Sequence, residues 1–122
     1  MPTRGLRGAT TIESDTKENI ISATLELLDA LLRANPSLRT DDIASALFTV
    51  TDDIVSAYPA LAARQLGWDL VPLMCAREIP VTGSLPLCIR VLLHWSTDLP
   101  QADIKHIYLR GAVKLRPDLV GT

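Results

Sequence analysis

The chain has 122 residues, 48% of them hydrophobic and 21% charged, with a formal net charge of −2, a pI of about 5.6 and a mean hydropathy of +0.22. This balance supplies no basic field for nucleic acid or for an anionic membrane, so any anionic ligand must be held by a local cluster. One domain over residues 1–122 accounts for the length, and so apolar a small chain is expected to bury part of its surface between subunits.

Thr3–Thr11 alternates as a strand does, setting Arg4, Leu6 and Gly8 against Gly5, Arg7 and Ala9. Asp15 is placed to cap a helix, with Glu18 three residues on as its reciprocal partner. Ile21, Leu25, Leu28 and Leu32 then recur at helical spacing until Asn35-Pro36 stops the run. This is the one long helix, and its apolar stripe is core. Thr40-Asp41-Asp42 caps a short second helix that leads into a strand over Ala46–Thr51. Pro59 suits the first turn of a third helix, which Gly67 ends.

Trp68–Cys75 reads as a strand with Pro72 at an edge or bulge. Pro80, Gly83 and Pro86 mark a loop, and Leu87–Thr97 is the most apolar strand. Pro100 opens another turn. Asp103–Arg110 alternates again, and Gly111 separates it from a last strand, Ala112–Leu115. The expected class is α+β: a mixed β-sheet of five or six strands with one long helix and two short ones.

The N-terminal Met1-Pro2-Thr3-Arg4-Gly5 lacks the apolar core of a secretory signal, and no stretch reaches the ~20 apolar residues of a membrane span. The expected location is cytoplasmic. Cys75 and Cys88 are the only cysteines and do not form a C-x-x-C pair; they read as free buried thiols. With His94 and His106 as the only histidines, no metal site is expected. The chain also shows no Gly-rich phosphate loop and no G-x-S-x-G.

A few residues ask for an explanation. Arg90 lies in Cys88-Ile89-Arg90-Val91-Leu92-Leu93, where a permanently charged guanidinium needs an anionic partner. That partner is an internal carboxylate or a ligand, unless the strand is an edge whose arginine points to water. Arg7 stands in Gly5-Leu6-Arg7-Gly8-Ala9, where the glycines permit close backbone approach. Arg64, Arg116 and Glu78 each read singly as surface. Tyr108, alternating with Ile104 and His106, reads as a half-buried ring with a free hydroxyl. Taken together, arginines and a tyrosine on separate strands with one carboxylate suit the binding and polarising of a small polyanion. They do not suit nucleophilic hydrolysis.

Arg4-Gly5-Leu6-Arg7-Gly8-Ala9-Thr10-Thr11, Cys88-Ile89-Arg90-Val91 and Leu115-Arg116-Pro117-Asp118 occur here in one chain. With Gly67-Trp68, Val81-Thr82-Gly83, Thr97-Asp98-Leu99-Pro100-Gln101 and His106-Ile107-Tyr108-Leu109, they make the sequence resemble the AroH-class chorismate mutases over nearly its whole length. The resemblance implies a homotrimer of pseudo-α/β-barrel form with an active site at each subunit interface, rearranging chorismate to prephenate without a cofactor. It implies ligand contacts at Arg7, at the Met74–Glu78 segment (Met74, Cys75, Ala76, Arg77, Glu78), at Arg90 and at Tyr108. Tyr58 stands where the family has an aromatic at the mouth, and Arg64, Leu115 and Arg116 match positions around the entrance. Leu61 departs from relatives that carry lysine, and one residue is missing just before Gly67-Trp68.

The reaction so implied, a unimolecular Claisen rearrangement, needs neither nucleophile nor proton transfer, in keeping with the absent catalytic motifs. Within that reading Arg90, Glu78 and Arg7 are the catalytic set. Two alternatives stay open at this point: a trimeric RidA-type enamine or imine hydrolase, and a non-catalytic protein that binds an aromatic metabolite.

Overall fold

A computed structural model describes residues 1–115. Five strands form one mixed sheet in the order β3-β2-β4-β1-β5. They are β1 (Thr3–Thr11), β2 (Ile43–Val50), β3 (Leu73–Arg77), β4 (Cys88–Ser96) and β5 (Ile107–Tyr108). β4 runs antiparallel to both β1 and β2, while β2 pairs parallel with β3 and β1 parallel with β5. Two α-helices, α1 (Lys17–Ala34) and α2 (Ala60–Gln65), complete the regular structure with three short 3-10 turns. The expected α+β class is the one observed. Among the described residues, no helix is long and apolar enough to cross a membrane.

One face of the sheet carries the core. Leu6 from β1, Phe48 from β2, and Val91, Leu93 and Trp95 from β4 pack with Leu27, Leu28 and Leu31 of α1 and Ala63 of α2. This follows from the two-residue period of the strands: the opposite positions of each strand must face away from α1. Gly8 lies where α1 packs tightly on the sheet. A Cβ there would lie 3.0 Å from Leu31 Cδ1 and 3.1 Å from Leu27 Cδ1.

The boundaries move from their sequence expectations for identifiable reasons. Thr16, not Asp15, caps α1, its hydroxyl accepting the Asn19 N–H at 3.1 Å. The Asp15 carboxylate accepts instead from the backbone of Val55 and Ser56, tying the start of α1 to the segment after β2. The helix expected from Thr40 is a single 3-10 turn, Thr40–Asp42, and β2 starts directly after it. Trp68 is no strand residue. Its N–H closes α2 on the Ala63 carbonyl, with Gly67 at φ +85° as the left-handed stop, so β3 begins only after Pro72.

The expected strand over Asp103–Arg110 contracts to Ile107–Tyr108. Backbone N–H groups of Asp103 and Ile104 turn back onto Pro100 and Gln101. Asn35, the C-cap of α1, takes both the N–H and the C=O of Lys105. The expected last strand, Ala112–Leu115, is instead the end of a 3-10 segment spanning Arg110–Lys114, with Leu115 as its C-cap. There the Gly111 N–H is taken by the Thr11 hydroxyl rather than by a neighbouring strand.

Candidate active site

The register fixes which side chains share the face turned away from α1. Ala76, Thr49, Arg90, Ala9 and Tyr108 lie in one lateral row that crosses all five strands. Met74, Leu47, Leu92 and Arg7 form the adjacent row. Two arginines and a tyrosine, far apart in sequence, therefore stand on one surface because strand alternation puts them there.

Arg90 projects from the central strand with its side chain about one-quarter exposed. Its Nε lies 3.6 Å from Glu78 Oε2, close enough for an ion pair and too long for a hydrogen bond. That Nε is buried and makes no hydrogen bond among the described residues, and the same holds for the Tyr108 hydroxyl. Glu78 follows β3, where its N–H donates to the Val50 carbonyl at 2.8 Å. Its carboxylate accepts from the Thr49 hydroxyl. The internal carboxylate anticipated as one explanation of Arg90 is thus present, yet it leaves a guanidinium donor unspent. Unsatisfied buried donors are uncommon and costly in a folded chain, and a ligand oxygen would satisfy them.

Cys88, two residues before Arg90 on β4, is fully buried. Burial pushes its thiol pKa up, while the charge and hydrogen bonding of Arg90 partly oppose the rise. Tyr108 packs with Ala9 and Ala112, and Leu85 and Leu115 close against them. The small side chain of Ala9 separates Arg90 from Tyr108 in the row. Arg7 is partly buried, and its backbone N–H donates to His106 Nδ1 at 3.0 Å.

The remaining expected site residues gather elsewhere. Tyr58, Cys75, Ala76 and Arg77 line a cleft of about 560 Å³ together with Lys17 and Leu61. Tyr58, Cys75 and Arg64 share a smaller one of about 240 Å³ with Leu73. Met74 and Tyr58 are each 69% exposed. Both clefts sit against the edge strand β3, whereas Arg7, Arg90 and Tyr108 stand on strands beyond β2. Arg77 is engaged locally, donating to the Asp52 carbonyl at 3.0 Å. Arg116 lies outside the described residues.

Thr49 and His106 are contacts that sequence reasoning did not single out. Thr49 lies opposite Arg90 only through the β2–β4 pairing, which the chain's local pattern does not display. Among the described residues, no group of three or more His, Cys, Asp and Glu side chains is placed to hold a metal ion.

A family model for chorismate mutase type I matches residues 3–119. The chain is 57% identical to chorismate mutase AroH of Thermus thermophilus over 95% of both chains. It is 45% identical to chorismate mutase AroH of Bacillus subtilis, over 98% of this chain and 94% of that one. Its fold superposes on a solved chorismate mutase from Clostridium thermocellum with a TM-score of 0.86 and 49% identity, covering 88% of this chain and 96% of the other. The open-faced sheet with its arginine–carboxylate pair is therefore the scaffold of a known enzyme class, and the chain belongs to the chorismate mutase type I family, as an AroH-class member.

Proposed function

We propose that this chorismate mutase converts chorismate to prephenate in a site centred on Arg90, completed by the Tyr58–Arg64–Cys75 region of a neighbouring subunit. The observation that carries the reading is the Arg90–Glu78 pair, set on the face away from the core with the Arg90 Nε buried and unspent. Tyr58, Arg64 and Cys75 line a cleft at the β3 edge, whereas Arg7, Arg90 and Tyr108 stand on strands beyond β2. Such a division suits a site shared between copies, and the exposed Met74 and the half-buried Leu47 and Leu92 suit burial in a homotrimer.

The rearrangement breaks a C–O bond and forms a C–C bond within one dianion. The protein must fold the enolpyruvyl arm over the ring and hold it there, which is orientation applied to a flexible substrate. It must also stabilise the ether oxygen as that atom becomes more negative. Arg90 serves the ether oxygen and a carboxylate together, as its planar fork allows. Arg7 and Tyr108 hold the side-chain carboxylate, and Glu78 accepts a hydrogen bond from the ring hydroxyl. Met74 and Cys75 contribute backbone groups. Arg64 and Arg116, with Tyr58 and Leu115, form the entrance. Donors carried on paired strands are already oriented, and each such donor is worth about 3 to 4 kcal/mol in the transition state. No step calls for a cofactor.

We read residues 1–122 as one catalytic domain working in the cytoplasm. The test is direct: purified protein added to chorismate should remove its ultraviolet absorbance and yield prephenate. Light scattering on the same sample should give the mass of three chains. Turnover by a stable monomer would overturn the shared site while leaving the reaction intact.

A further inference from the structure

β5 pairs with β1 over two residues only, Gly8 with Ile107 and Ala9 with Tyr108. Immediately before it the chain is drawn off towards α1, where the Asn35 side chain takes both backbone groups of Lys105. Asn35 is itself buried and anchored, its amide also donating to the Leu31 carbonyl at 2.9 Å. The β1–β5 ladder therefore stops short of the Arg7 N–H, which faces β5. The group that fills the gap is a side chain: the Arg7 N–H donates to His106 Nδ1 at 3.0 Å.

A backbone N–H can only donate, so Nδ1 carries the lone pair and the ring hydrogen sits on Nε2. One imidazole thus joins the backbone of Arg7 to the strand that carries Tyr108. We propose that His106 is a positioning residue for the reaction, setting the Arg7 backbone against β5 so that Arg7 and Tyr108 keep a fixed separation across Ala9. This rests on the reading of Arg7 and Tyr108 as the pair that holds the substrate's side-chain carboxylate. A slack β1 edge would leave both side chains present and their spacing loose, and small displacements of positioning groups cost rate heavily.

The discriminating variants are His106→Asn and His106→Gln. Asparagine places a carbonyl oxygen where Nδ1 lies, one bond beyond Cγ, whereas glutamine carries its oxygen one atom further out. His106→Asn should keep kcat/KM within about twofold of wild type, while His106→Gln and His106→Ala should lose on the order of tenfold or more. Amide hydrogen exchange at Arg7 should stay slow in the Asn variant and speed up in the other two. In an Arg7→Ala background, His106→Ala should cause no further loss, because its effect passes through Arg7.

Equal activity of the Asn and Gln variants overturns the proposal, and so do losses that multiply in the double variant. Near-wild-type turnover of Arg7→Ala alone would instead remove Arg7 from the site. In that case exchange at the Arg7 amide still reports whether the His106 contact holds the strand. Should His106→Ala fail to assemble, the Asn–Gln comparison carries the test unaided.

Discussion

Arg90 Nε and Glu78 Oε2 face each other at 3.6 Å, a charge pair without a hydrogen bond, while the same oxygen accepts from the Thr49 hydroxyl. The pair explains how a guanidinium can sit on the central strand of a small sheet without a ligand. It also shows why that arginine is not satisfied by the fold. Its buried Nε lacks a hydrogen-bond partner among the described residues, so the charge is compensated and the donor is held in reserve.

Arg90→Ala should leave an assembled protein whose melting temperature is little changed and whose kcat falls at least ~10²–10³-fold, because the lost interaction strengthens as charge develops on the ether oxygen. Arg90→Lys should also lose most of its turnover, keeping the charge but not the planar fork. Steady-state kinetics on variants first checked by light scattering and calorimetry decide the matter. Near-wild-type turnover in an assembled Arg90→Ala protein would falsify the proposed mechanism.

Because no step transfers a proton, kcat should stay nearly flat from about pH 6 to 9. Prolonged dialysis against a chelator should leave it unchanged. A bell-shaped kcat profile would reveal a titrating catalytic group and return the hydrolase alternative to consideration.

Arg64 is exposed and lines the smaller cleft with Tyr58 and Cys75. An entrance charge attracts the dianion equally before and during reaction, so Arg64→Ala should raise KM with little change in kcat. The increase should shrink as salt is added. A hundredfold loss of kcat at constant KM would move Arg64 from the entrance to the reacting atoms.

The Cys88 thiol has a raised pKa in the folded chain, first through burial, with Arg90 partly opposing. A raised thiol pKa means that the folded state keeps its proton after the unfolded chain has lost it. The stabilisation is complete below the unfolded thiol's pKa of about 8.5 and is lost as pH rises through the higher folded value. The melting temperature should therefore fall more steeply above about pH 8.5 in wild type than in Cys88→Ser. Matching slopes in calorimetric scans of the two proteins would contradict this. At neutral pH Cys88 should also be alkylated more slowly than the partly exposed Cys75.

Gly8→Ala would place a Cβ 3.0 Å from Leu31, 3.1 Å from Leu27 and 3.3 Å from Val91. Overpacking of this kind costs about 1–3 kcal/mol, and the denaturant midpoint should drop accordingly with an unchanged slope. An unaltered midpoint would mean that the two leucines move aside without strain.

Local pattern was enough to place the long helix before Asn35-Pro36 and strands over Thr3–Thr11 and Leu87–Thr97, observed as Lys17–Ala34, Thr3–Thr11 and Cys88–Ser96, since apolar period and apolar runs are written directly in neighbouring residues. The family resemblance added Arg7, Glu78, Arg90 and Tyr108 as expected ligand contacts. What the chain could not show was any feature set by a distant partner. Alternation over 103–110 suggested a full strand, but Asn35, some seventy residues away, takes the backbone of Lys105 and shortens it to Ile107–Tyr108. Ala112–Leu115 has strand-like residues, yet Thr11 claims the Gly111 N–H and the chain turns as a 3-10 helix. Thr49 came opposite Arg90 only through pairing of β2 with β4, and His106 met the Arg7 N–H only through a ladder that ends one residue early. Side-chain period is local, but hydrogen-bond partnership is decided by which elements meet in space, and on that depended the surroundings of Arg90 and Arg7.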